Sequence, residues 1–347
     1  MTSHPSHKNI FVILGVARSG TSAIARGLKA LGIELGDKMN PADTKWNAKG
    51  FWEDTDIVYN INSKAFSALN IAPYGIDAPS PEQQTSDALH AIKLSAIELL
   101  QHRFVNTAYW GFKDPSTVKL LTFWQMIFAE LQLTENYIIA LRNPLETAQS
   151  YQKVTGSDIE IGFLLWLAHI IPAIEETVGK NRTIVSYDLL MQHPEAQLQR
   201  MQTQLQIPSL SNSAEVKIYT EGFLDKKLHR HAASIEDLLS HPASAVAPLC
   251  ARMYQLLMQV AQDQIDFASA SFTNEWHEIK NELKKMYPVY RYIDRLLKEN
   301  HLLKKNLRRI QKSILWKMLY PLRKIDDTLR ARRQKKRAEN RLTKAYG

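Results

Sequence analysis

A single cysteine, Cys250, stands in 347 residues. That scarcity excludes an internal disulfide and a cysteine-held zinc cluster, and it suits a reducing compartment in which Cys250 is an inert buried thiol. No apolar run approaches the roughly 18 residues a membrane-crossing helix needs. The longest early run, Ile10 to Val16, is short enough to be a buried strand, and the polar stretch before it lacks the apolar core of a signal peptide. The 11 histidines include no His-x-x-x-His pair and no flanking acid set, so no metal is expected. With 45% apolar and 23% charged residues, the composition is that of an ordinary globular chain. A cytoplasmic protein is the expectation, with peripheral contact to a membrane left open.

Acidic residues are scarce in one region only. Between Lys304 and Lys344 there are 16 Lys or Arg against three acids, a local +13 where the whole chain carries +9, so the remainder is slightly acidic at −4. A basic partner surface for anionic lipid or nucleic acid is therefore confined to the tail. Nucleic acid is the less favoured of the two, since no basic surface with interleaved aromatics and no known module accompanies the charge.

Periodicity predicts alternating strands and helices. Asn9 to Val16 reads as a strand, and Ile24, Leu28 and Leu31 put a helix after the turn at Gly20. Residues 37–50 are polar and aperiodic, a long loop of the kind that often carries function. Helices are predicted near 54–69 and 86–103, a short strand from Tyr109 that Pro115 stops, a helix over 117–131 and a strand over 136–141. Further helices run through Tyr151 and over 159–178, then a strand over 182–186 and helices over 194–205 and 245–263. Strands separated by helices predict an α/β fold with a parallel sheet over residues 1–272. Residues 273–347 are expected to form a helical, basic extension.

Four patterns carry chemistry. The first, Gly15-x-x-x-x-Gly20-Thr21-Ser22, has the form of a phosphate-binding loop, but Thr21 stands where a nucleotide-hydrolysing loop has lysine. Arg18 can replace that cation, while helix-start amides and the Ser19, Thr21 and Ser22 hydroxyls donate to a phosphate. Second, Arg142 ends a predicted strand, and Ser150 lies two turns into the helix that Pro144 opens, so both can reach one anion. Third, Lys113-Asp114-Pro115 also sits at a strand end, the edge where α/β proteins bind ligands. Fourth, Gly50-Phe51-Trp52-Glu53-Asp54 follows the long loop, and a carboxylate opposite the phosphate loop could serve as a general base. Glu53 is the candidate base and Asp54 its competitor.

In this order the motifs resemble those of the sulfotransferase superfamily. Val16-Ala-Arg18-Ser19-Gly20-Thr21-Ser22 is similar to its 5′-phosphosulfate loop, with the arginine of the carbohydrate and tyrosyl-protein branches. Arg142 with Ser150 resembles its 3′-phosphate signature, Lys113-Asp114-Pro115 a donor-contacting element, and Tyr187-Asp188-Leu189 its strand-to-helix step. The resemblance implies a P-loop-like sulfotransferase fold using 3′-phosphoadenosine 5′-phosphosulfate (PAPS) without metal. It further implies that Glu53, Arg18 and Lys113 are catalytic, that Arg18, Ser19, Gly20, Thr21, Ser22, Arg142 and Ser150 bind the donor, and that the acceptor is a saccharide or glycolipid hydroxyl. Two other classes stay open, a kinase-like phosphotransferase and a non-catalytic, membrane-associated scaffold of polysaccharide synthesis. A basic cluster, Lys226, Lys227, His229, Arg230 and His231, either covers the donor, accepts an anionic glycan or is simply solvated.

The extension repeats apolar residues by fours and threes. Ile279, Leu283, Met286, Tyr290 and Ile293 form one such series, and Leu296, Asn300, Leu303, Leu307, Ile310 and Ile314 another, with a register break between them near Pro288. Ser313 to Arg323 resembles a short C-terminal element of bacterial polysaccharide-synthesis enzymes. A homodimer through a coiled coil and contact with an anionic leaflet are both open for this region.

Overall fold

The computed structural model describes residues 7–44, 46–208, 213–224, 233–242 and 246–318. The chain divides into two compact units, Met1–Tyr290 and Arg291–Gly347. That division falls later than the break expected after residue 272, because Phe272, Trp276, Ile279 and Leu283 are buried within the first unit.

Four strands, β1 (Asn9–Leu14), β2 (Tyr109–Lys113), β3 (Thr134–Leu141) and β4 (Asn181–Ser186), form one parallel sheet in the order β2-β1-β3-β4. Each strand predicted from periodicity is present. β1 lies at the centre, with Ile13 in register with Lys113 on one side and Ile138 on the other. Its residues Ile10 to Leu14 are all buried, as expected of a strand covered on both faces. On one face Phe11, Ile13, Ile138 and Ala140 pack against Ile24 and Leu28 of helix α1 (Thr21–Ala30) and against Leu198 and Met201. A second layer of packing is aromatic: Phe112 sits 5.7 Å from Trp110 and 5.0 Å from Trp124, and Trp124 lies 5.8 Å from Phe128, ring centre to ring centre.

The predicted helix over 54–69 is a π-helix, Asp56–Asn62, continued by Ser63–Ala68. Its last residue explains the distortion's use. Asn62 is buried and donates to Asp114 (2.8 Å) and Thr117 (2.9 Å) while accepting from Trp124 Nε1 (2.9 Å). It thereby ties the segment after the long loop to the end of β2.

Because the order runs β2-β1-β3, the chain leaves β1 toward one edge and later crosses to the other. The crevice outside the carboxyl ends of β1 and β3 is therefore the switch point, where ligands bind in sheets of this kind. Gly15 to Gly20 and Arg142 both emerge there.

At the far side, Arg200 donates to both oxygens of Asp263 (2.9 and 3.0 Å) and to the Ile184 carbonyl (2.6 Å), joining β4 to two helices. The hydrogen bonds from Arg200 hold the Asp263 carboxyl below its usual range. A carboxyl depressed by folding stabilises the fold above its unfolded pKa and loses that contribution as pH falls through the folded value. Asp263→Asn should therefore lower the urea midpoint at neutral pH, and the wild-type and variant midpoints should converge in acid.

Candidate functional site

The loop from Gly15 to Ser22 folds as its residue types require. β1 ends at Leu14 and α1 begins at Thr21, with Gly20 in the left-handed region at φ 90° and no side chain capping the helix. The leading amides of α1, which have no partner inside the helix, are thus presented to the loop's concave side. A Cβ at Gly20 would meet the Tyr187 ring at 2.3 Å, so this position needs glycine for both backbone and space. Arg18 is also left-handed, at φ 76°. Ser19 is buried and its hydroxyl donates to the Val16 carbonyl (2.7 Å), a bond that braces the loop from within. Thr21 is buried beside it.

The structure brings Arg18, Arg142 and Ser150 together. Arg18 Nε donates to Ser150 Oγ at 3.0 Å, and Arg142 Nη1 donates to the carbonyl of Arg18 at 3.0 Å. Arg18 also donates to the Trp46 carbonyl in the long loop. Both of these partners of Arg18 are neutral, and burial followed by the nearby Arg142 charge pushes its guanidinium below the usual arginine value. Arg142 is held by Glu146 one turn on (Nε to Oε2, 2.9 Å), and its guanidinium lies 4.7 Å from the centre of the Tyr187 ring. Trp166 Nε1 donates to the Arg142 carbonyl (3.0 Å), fixing the strand exit. Two adjacent cations at a switch point, one with neutral partners, are an arrangement that binding of a multiply charged anion would relieve.

Lys113 and Glu53 meet across the same loop. Lys113 Nζ lies 2.6 Å from Glu53 Oε1, and both side chains are largely buried. The lysine also donates to the Phe51 carbonyl (3.1 Å) and to Ser22 Oγ (3.4 Å), so it touches the first turn of α1. Asn40 donates to the other oxygen of Glu53 (3.0 Å), and Asn47 donates to Ser22 Oγ (3.0 Å). The hydroxyl of Ser22 in turn donates to the Phe51 carbonyl (3.0 Å). The ion pair is therefore positioned by β2, the long loop and α1 together.

Asp54 has a different setting. Arg103 Nη2 lies 2.8 Å from it and 3.0 Å from Asp56, while Nη1 lies 2.8 Å from Asp37. Burial raises the Asp54 carboxyl despite the opposing guanidinium. It faces a structural cation, whereas Glu53 faces Lys113 and the loop. Asp114 is buried as well, accepting from Ser116 and Asn62. Burial, then the Glu53 charge, raises its carboxyl.

Asn40, Trp46, Asn47 and Arg103 were not among the residues singled out from sequence. The polarity of residues 37–50 marked the loop, but nothing local marks which of its residues reach back. The basic cluster at 226–231 lies outside the described residues. Both of its flanks are at the site: Lys49 donates to the Phe223 carbonyl, and the Ala233 amide donates to Glu146 (2.8 Å). Residues 319–347 of the tail also lie outside the described residues. Among those described, no group of three His, Cys, Asp or Glu side chains is placed to hold a metal, and no helix is long and apolar enough to cross a membrane.

No protein-family model matches the chain, and no curated protein matches it. Two solved structures are similar to it in fold. One is the sulfotransferase domain of the Synechococcus PCC 7002 olefin synthase, at 16% identity and a TM-score of 0.40, covering 74% of this chain and 98% of that one. The other is the sulfotransferase domain from the curacin biosynthetic pathway, at 15% identity and a TM-score of 0.41, covering 73% and 99%.

Proposed function

We propose that this chain moves a sulfuryl group from PAPS to a hydroxyl of a saccharide acceptor. The observation that carries this is the convergence of Arg18, Arg142 and Ser150 outside β1 and β3, with the Lys113–Glu53 pair braced against the same loop through Ser22. A donor carrying both a 5′-phosphosulfate and a 3′-phosphate supplies anions for both arginines, which an ordinary nucleoside diphosphate does not.

Each residue then has a chemical duty. Glu53 takes the proton of the acceptor hydroxyl as its oxygen forms the new bond to sulfur, and the sulfur–oxygen bond to the 5′-phosphate breaks. Arg18, Lys113 and the α1 amides stabilise the charge that develops on the departing phosphate, as in phosphoryl transfer. Arg142 and Ser150 hold the 3′-phosphate. With cations at both ends, the side chains present can neutralise the leaving group.

For the acceptor, Tyr59 supports a sugar. Its ring is exposed and its hydroxyl donates to Asn40 Oδ1 (3.0 Å), the same asparagine that donates to Glu53. An aromatic face beside the base is a surface on which the C–H face of a sugar packs. Tyr59→Ala should raise KM for a saccharide acceptor by on the order of two- to tenfold. Donor affinity in the same variant should be unchanged.

Calorimetry decides the donor. Adenosine 3′,5′-bisphosphate should bind the wild-type chain more tightly than ADP, and Arg142→Ala should remove that preference. Tighter binding of ADP, or equal binding of the two, would sink the proposal in favour of a kinase-like activity.

A further inference from the structure

The two apolar series of the long helix Ala270–Lys312 have opposite fates. Ile279 and Leu283, from the first, are fully buried in the globular unit. The second series opens to solvent: Leu296 is 43% exposed, Leu303 68%, Leu307 50% and Ile310 49%. Two consecutive steps of three, Tyr290 to Ile293 and Ile293 to Leu296, mark the change from one stripe to the other, with Ile293 common to both. Among the described residues, nothing covers this apolar seam.

We propose that residues 293–310 pair with the same segment of a second copy of this chain as a parallel, in-register, two-stranded coiled coil. Heptad positions follow from the spacing. Ile293, Asn300 and Leu307 occupy a, and Leu296, Leu303 and Ile310 occupy d. Isoleucine at the first a position with leucine at the first two d positions favours two strands, Leu307 at a with Ile310 at d favours more, and the lone asparagine at a decides for a dimer in which it faces its own copy. In an antiparallel pair Asn300 would instead face an apolar d residue, leaving its amide unsatisfied.

Charge chooses the same arrangement. Glu299 falls at g and Lys304 at the following e, the two positions that meet across a parallel seam, so each dimer gains this opposite-charge contact twice. The remaining cations, Arg295, Lys298, Lys305, Arg308 and Arg309, fall at c, f and b on the outer surface. Lys298 is already paired within the helix with Asp294 at 2.7 Å. A membrane would have to accommodate Asn300 within the stripe and Glu299 at its border.

The test uses the full chain. Sedimentation equilibrium at micromolar concentration should give twice the chain mass of 39.7 kDa. Leu303→Lys with Ile310→Lys should give the monomer while far-UV circular dichroism keeps the spectrum of the folded domain. Asn300→Cys should form an interchain disulfide on mild oxidation, because matching a positions face each other only in a parallel, in-register pair. Cys250 is buried and does not compete. Glu299→Lys should weaken the dimer, and adding Lys304→Glu should restore it. A monomeric wild-type chain, an Asn300→Cys chain that does not cross-link, or a charge reversal that does not restore pairing overturns the proposal. So does a chain that is monomeric in solution and binds phosphatidylserine vesicles through Leu303 and Ile310, since the lipid would then be the occupant.

Discussion

Replacing Glu53 by glutamine should reduce turnover by roughly 10²- to 10⁴-fold, the range that a positioned general base contributes. Adenosine 3′,5′-bisphosphate should still bind the variant, since Glu53 touches Lys113 and Asn40 rather than the arginine pair. The substitution also removes one partner of a buried ion pair, which by itself destabilises a protein. Lys113 keeps the Phe51 carbonyl and Ser22 as partners, so the fold has a means of tolerating the change. Melting temperature and product affinity measured together separate the two effects: a folded, product-binding, inactive variant identifies the base, and near-normal turnover removes Glu53 from the reaction. Asp54→Asn provides the contrast. Its carboxylate faces Arg103, so the expected effect is loss of stability before loss of chemistry.

Arg18→Ala carries the second large effect, on the order of 10²- to 10³-fold in kcat, as when one stabiliser of developing charge is removed. This arginine is a cleaner probe than Arg142. Its hydrogen bonds go to the Ser150 hydroxyl and the Trp46 carbonyl, so truncation leaves no carboxylate behind. Truncating Arg142 would strand Glu146, which is buried. Arg18→Lys should fall between wild type and alanine, because it keeps the charge but loses the planar fork that can hold Ser150 and an anion together. Single-turnover rates with saturating donor would read this directly. An alanine variant with unchanged kcat would move the role to Lys113 and the helix amides.

What the sequence made legible follows from how local each signal is. The two inner strands could be found because a strand covered on both faces is a short, continuous apolar run, as Ile10 to Leu14 and Tyr137 to Leu141 are. The loop at Gly15 to Ser22 was legible for the same reason: its chemistry and its geometry lie within eight neighbouring residues. Arg103 was not legible. Its partners Asp37, Asp54 and Asp56 lie more than 45 positions away, and nothing about a terminal arginine of a helix announces three carboxylates. The π-helical turn at Asp56–Asn62 is indistinguishable from an ordinary helix in the sequence, since what it serves is a contact of Asn62 with the end of β2. Heptad spacing was ambiguous in a further way. Ile279 and Leu283 obey it as faithfully as Leu303 and Leu307, yet the first pair faces its own domain. Periodicity reports that a face is apolar and leaves open what covers it.

The Arg103 contact has a wider consequence. Its guanidinium gathers three acids from either end of the long loop, so the loop's closure is an electrostatic latch mounted on the last turn of a helix that takes no part in the chemistry. Asp54 is the immediate neighbour of Glu53. Where Glu53, the proposed base, stands is thus inherited from a residue with no place in the proposed reaction. Natural or engineered changes in the helix His90–Arg103 become a way to retune the reaction from a distance, by moving the latch instead of the groups it aligns.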